Sequence, residues 1–286
     1  MRRFPKALIL VAAVAAVVLG HVATSARAAV TRTVHIMAAD LKGVPITDLT
    51  AADLVVKEGG KEQKITSLQP ATGPMQIAMV VDDGGTGAFQ AATLNFMNKL
   101  LDQGQFSIRL LNTQALKILD YSKDTDALKT ALGKMGQRGR VQPDGDQLVE
   151  AVGEAARELK QRKAERPVIV AFTVYGDSPK AVDPEVILAD VKHSGASLNV
   201  MYVTGAATGQ IIGDGPKQSG GRCDEVPAGG GIVPAAVKMA DTLAHQMVLT
   251  YALADGVKPN DRLSITLNRK GVTLIAPTRI TDKVDK

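Results

Sequence analysis

Two adjacent carboxylates, Asp82 and Asp83, are followed at once by Gly84, Gly85, Thr86 and Gly87, and this stretch carries the residue types most suited to chemistry. A pair of carboxylates can divide the acid and base roles of a hydrolase between them. Neighbouring residues on an extended strand point to opposite sides, however, so the two need not serve one site. A loop this rich in glycine can also cradle a phosphate. Its spacing fits neither the dinucleotide fingerprint nor the P-loop.

The elements around this stretch place it at the mouth of an α/β sheet. From Met75 to Val81 only Gln76 interrupts an apolar run, the pattern of a central parallel strand covered on both faces. Asp82 and Asp83 then stand at its carboxyl end, where open α/β sheets place their ligands. The helix that follows has Ala92, Phe96 and Leu100 at four-residue spacing, with Phe89, Met97 and Leu101 beside them. Gln105 to Leu111 and Leu116 to Tyr121 read as an edge hairpin, and Asp124 can cap a short helix through Leu132. Gly133 to Gly145 reads as a basic surface loop in which Lys134, Arg138 and Arg140 could bind an anion, with a solvated charge run as the default. Helical spacing returns from Gln147 to Lys163. Pro167 opens the apolar strand VIVAFTV, which ends in the loop Tyr175-Gly176-Asp177-Ser178. A helix starts at Asp183-Pro184 and ends at Gly195, and Ser197 to Val203 is a third apolar strand. This alternation predicts a parallel sheet.

Residues 1–28 have the form of an export signal: Arg2, Arg3 and Lys6 precede an apolar run from Ala7 to Gly20, and Ala26-Arg27-Ala28 supplies the cleavage pattern. The run is shorter than the roughly 18 apolar residues that a bilayer span needs, so cleavage near Ala28 and no remaining membrane span are expected. Four of the 34 basic residues lie in this segment, which leaves 30 against 29 acids. That near balance argues against nucleic acid as a partner. The single cysteine, Cys223, excludes an internal disulfide. Val30 to Gln69 reads as short strands and turns, with Val34 and Ile36 on a face that can be buried and His35 solvated or packed at an edge. Thr204 to Gly231 is expected to form a long glycine-rich loop, and the chain closes on further strands after Met247.

Several pieces, in order, resemble the exported bacterial proteins related to the von Willebrand factor type A domain. They are Lys42-Gly43-Val44-Pro45, Leu49 to Leu54, Lys57 to Lys61 leading to Ile65, the central strands and helices, Leu243 to Met247 with Tyr251, and Arg269-Lys270-Gly271. The resemblance implies a doubly wound, mostly parallel α/β sheet with a small flanking β module built from both termini. The expected division is a signal peptide at 1–28, a β segment at 29–72, the A-like domain at 73–246 with a flexible glycine-rich loop at 205–231, and a second β segment at 247–286. The two β segments are expected to share an apolar face, with Val34, Ile36, Leu54 and Ile65 meeting Val248, Leu263, Ile265 and Leu274.

The resemblance also implies a metal-ion-dependent adhesion site, and the sequence departs from its pattern. Asp82 matches and Thr86 can replace the second serine of the motif, while Asp146 stands near the threonine position. Gly84 replaces the first serine, and Val174 falls where the last aspartate is expected. Asp82, Thr86 and Asp146, with Asp177 as a further donor, are thus the candidate metal ligands. Magnesium asks for near-octahedral oxygen ligation, so no cofactor, or only weak Mg or Mn binding, is expected. The implied function is an exported, periplasmic or secreted, non-catalytic module that binds a protein or cell-surface ligand through the loops above the sheet. The alternative is a hydrolase using Asp82 and Asp83.

Overall fold

In the computed structural model, which describes residues 30–112, 114–139, 145–254 and 256–282, the chain begins with strands β1 (Thr31–Asp40), β2 (Leu54–Glu58) and β3 (Lys61–Pro70). It then enters a sheet-and-helix layer. In chain order the elements there are β4 (Met75–Asp82), α1 (Gln90–Leu100), β5 (Gly104–Leu111), β6 (Ala115–Ser122), α2 (Thr125–Gly133) and α3 (Gly145–Gln161). After them come β7 (Arg166–Thr173), α4 (Pro184–Ser194), β8 (Ser197–Val203), α5 (Gln210–Gly213), α6 (Gly215–Ser219), β9 (Cys223–Val226) and α7 (Ile232–Ala244).

These strands form one sheet in the order β6-β5-β4-β7-β8-β9, parallel except for β6 at one edge. β4 and β7 lie at its centre because their side chains are apolar on both sides and can be covered twice. On one face Phe96 and Leu100 of α1 pack with Met239 and Leu243 of α7 over Ile77 and Phe172. Phe96 meets Phe172 edge-on, with ring centroids 6.1 Å apart. On the other face α3 presents Leu148, Val152, Ala155 and Leu159 to Val80 and Ile169. α4 is stopped at both ends as its sequence predicts: the Asp183 carboxylate accepts from the Glu185 amide, and Gly195 takes the left-handed conformation.

The segment 205–231, expected as one long loop, carries α5, α6 and β9. The strand was hidden because it is only four residues long, polar and set among glycines. It places Cys223 on the last strand of the sheet, with its thiol against the Ile212 carbonyl at 3.5 Å.

The chain returns to the first sheet through β10 (Met247–Ala252), β11 (Leu263–Leu267) and β12 (Val272–Ile275). The order is β11-β2-β3-β10-β1-β12, so β10 is inserted between two strands of the amino-terminal segment. β11 and β12 stand at opposite ends of that order yet are joined by a short turn and touch, so the sheet curls around its own core. The two termini therefore meet, but as neighbouring strands and not as facing layers. Met247, Leu249 and Tyr251 fill the core with Val34, Ile36 and Leu54, while Val248 pairs with His35 and lies on the opposite face. Strand side chains alternate, so reading the face one residue out exchanges the whole set. Inside the curl, Tyr251 donates a 2.6 Å hydrogen bond to Glu58, which also faces the buried Arg32 at 3.8 Å.

Candidate functional site

β4 and β7 end side by side, with Asp82 opposite Thr173, and the loops beyond them form the candidate site. Asp82 turns into the sheet. Its Oδ2 accepts a 2.7 Å hydrogen bond from the Thr173 hydroxyl, and its Oδ1 is buried without a partner. Burial, aided by the neighbouring Asp83, raises the Asp82 pKa, although the Thr173 bond and the nearby amides of Gly84 and Tyr175 work against the rise. Asp83 turns the other way. Its carboxylate accepts from the Gly85 amide (3.0 Å) and the Gly87 amide (3.1 Å) and forms an ion pair with Arg138. The glycine loop is thus wound around a neutralised carboxylate. Arg138 also fixes the far side of the loop, its amide donating to the Gly85 carbonyl at 2.9 Å.

The remaining expected ligands are engaged elsewhere. Thr86 donates to the Asp83 carbonyl (2.6 Å) and accepts from the Ala88 amide (3.2 Å). Asp146 Oδ1 accepts from the amides of Lys180 (2.9 Å), Ala181 (3.1 Å) and Val182 (3.0 Å), holding the loop after β7 against the start of α3. Asp177 accepts from Gly209 and Ile211, both at 2.7 Å, and so anchors the loop that leads into α5. Its pKa is raised, with burial the largest cause.

Tyr175 occupies the space beside Gly84. A Cβ built on that glycine would lie 2.8 Å from a carbon of the Tyr175 ring and 2.9 Å from its hydroxyl, and the backbone there has φ +59°. Only a residue without a side chain fits. Replacing Gly84 with serine is therefore expected to cost about 1 kcal/mol through its backbone conformation alone, read as a lower urea midpoint. An unchanged midpoint would show that the loop leaves this backbone conformation without cost and that Tyr175 moves aside with it.

These positions can be set beside known structures. No protein-family model matches the chain, and no curated protein matches it in sequence. A von Willebrand factor type A structure from Catenulispora acidiphila superposes with a TM-score of 0.50 at 10% identity, covering 80% of this chain and 74% of that one. The large sheet and its helices have the von Willebrand factor type A fold. Similar structures include proximal thread matrix protein 1 from the mussel byssus, whose adhesion-site motif is occupied by zinc (TM-score 0.47, 16% identity, 64% of this chain and 49% of that one). Another is an aerotolerance-related membrane protein from Bacteroides fragilis (0.42, 12%, 60% and 98%).

The residues at the von Willebrand-type loop face do not fit the cation that the fold family implies. Gly84 and Val174 bring no side-chain oxygen, Thr86 and Asp146 are bonded to backbone, and the Tyr175 ring fills the space beside the loop. One unpaired oxygen of Asp82 remains, far short of an octahedral set. Among the described residues, no three His, Cys, Asp or Glu side chains are grouped to hold a metal. Three residues central to this arrangement escaped sequence reasoning. Arg138 lies in a run whose charges read as solvated, and Thr173 and Tyr175 have no motif to mark them. Their signal is negative: where Gly84 and Val174 withdraw ligands from the motif, something else must fill the space.

Proposed function

We propose that the protein is an exported, non-catalytic interaction module that binds a protein or surface ligand through the loops at the carboxyl end of the large sheet. The observation that carries this reading is the state of four carboxylates among the described residues of that face. Asp83, Asp146 and Asp177 are bonded to their own loops, and Asp82 is buried with Thr173. They hold the loops in shape, and among these four described carboxylates there is no accessible pair to divide acid and base roles. Rigid loops on a sheet scaffold are suited to recognition. The export part rests on residues 1–28, which lie outside the described residues. Among the described residues no helix is long and apolar enough to cross a membrane.

Affinity capture from the exported fraction of the producing cell tests the reading. Ala88 and Gln137 are exposed at the loop face, whereas Lys160 is exposed at the far end of α3. A double Ala88→Glu, Gln137→Glu variant should lose the partner that the wild-type chain retains, and Lys160→Glu should keep it. Capture that ignores the loop variant would contradict the proposal, as would substrate hydrolysis that disappears in Asp82→Asn.

A further inference from the structure

A cavity of about 390 Å³ lies at the other end of the large sheet, where the two sheets meet. Its walls are the first half of β1, the end of α4 with the start of β8, and the tail from Pro277 to Thr281. Small-ligand sites begin at about 300 Å³ and combine apolar walls with a few convergent polar groups. Val191, Ala196, Pro277 and Ile280 supply the apolar part here.

The charged lining is one-sided. Arg32, Lys192 and Arg279 border the cavity, and among its described lining residues there is no carboxylate. The acids paired with these cations stand behind them. Glu58 faces Arg32 at 3.8 Å, while Asp261 is shared by Lys192 at 3.6 Å and Arg279 at 3.1 Å. In these ion pairs among the described residues, two acids face three cations, an excess of about one positive charge, in a recess whose low-dielectric walls strengthen its field. Arg32 is itself buried, and its Nη1 has no hydrogen-bond partner. Arg166 lies behind the lining, where the adjacent Glu165 offsets its charge. His35, on the wall above it, has its pKa lowered to about 4 by burial and then by Arg166, so it offers an uncharged ring near neutral pH.

We propose that this cavity binds a small organic carboxylate, its charge set against Lys192 and Arg279 and its apolar body against Val191 and Ile280. A single excess positive charge suits a monoanion better than a doubly charged phosphate. The site is separate from the loop face and does not depend on what that face binds. A carboxylate seated there would touch both sheets and brace their junction.

Calorimetry and thermal unfolding of the full chain with pentanoate test this, with pentanamide as the uncharged analogue and inorganic phosphate as the competing anion. Pentanoate should bind saturably and raise the melting temperature, pentanamide should do neither, and phosphate should bind at least about tenfold more weakly. Arg279→Gln should weaken pentanoate at least about tenfold. Because that variant also loses the ion pair to Asp261, Thr33→Trp provides a second test. Thr33 is an exposed strand residue on the cavity wall, and the indole should block binding while the fold persists by circular dichroism. The proposal is overturned by no saturable pentanoate binding up to about 10 mM, by equal binding of pentanamide, by tighter binding of phosphate, or by a folded Thr33→Trp that binds as wild type does.

Discussion

Replacing Arg166 with methionine is expected to lower stability by about 3 kcal/mol, although the residue lies far from the loop face. It opens β7, an otherwise apolar strand, and its guanidinium is buried at the passage between the sheets. From there it donates to the carbonyls of Ala71 (3.0 Å) and Gly73 (2.9 Å) on the way into the large sheet, and to Leu243 O and Gln246 Oε1 (both 3.4 Å) on the way out. Methionine keeps the apolar stem but takes the donor from Gln246 Oε1 and from the half-buried carbonyls of Ala71 and Gly73, while Leu243 O keeps the Gln246 amide, and each unpaired acceptor costs about 1 to 3 kcal/mol if water cannot replace the bond. Urea unfolding checks it. A loss below about 1 kcal/mol would mean that water reaches the passage and that the arginine does not hold the two sheets together.

His35→Gln is expected to remove most of an acid sensitivity worth about 2 kcal/mol. The ring is half-buried on β1 near Arg166, and its pKa falls from 6.5 to about 4, mainly through burial. Protonation therefore favours the unfolded chain. Stability from this group is complete above pH 6.5 and is lost as the pH falls towards 4, because the unfolded imidazole takes up its proton first. One pKa unit corresponds to about 1.36 kcal/mol, and partial exposure of the ring brings the full figure of about 3 down to about 2. Denaturant midpoints between pH 7 and pH 4 should fall less steeply in the glutamine variant. Parallel slopes would show that the ring is protonated in the folded state.

What the sequence revealed divides along physical lines. The Met75 to Val81 strand was legible because it is buried on both faces, and α4 because Asp183, Pro184 and Gly195 are local signals whose partners lie within a few residues. β9 was not, since a four-residue polar strand acquires its identity only by pairing with β8. The sequence is silent on the face of β10 because Val248 and Leu249 are equally apolar, and only the register against β1 decides which of them turns inward. At the loop face the opposite orientation of Asp82 and Asp83 followed from strand geometry. The ion pair of Asp83 with Arg138 spans 55 residues, and the contact of Tyr175 with Gly84 joins two separate strand ends. Neither has a local signature. Arg166 was hidden for the same reason: its partners Ala71 and Gln246 belong to segments far apart in the chain.

The central claim is that the von Willebrand-type loop face is shaped by its own residues, with Arg138, Thr173 and Tyr175 in place of a bound cation. Calorimetric titration of manganese and magnesium into the wild-type chain and Asp82→Ala tests it most directly. The expected result is no saturable binding in the micromolar range for either protein. Micromolar binding by the wild type that is abolished in Asp82→Ala would contradict the account, because it would require Thr86 or Asp146 to leave its backbone partners and complete a metal site around Asp82.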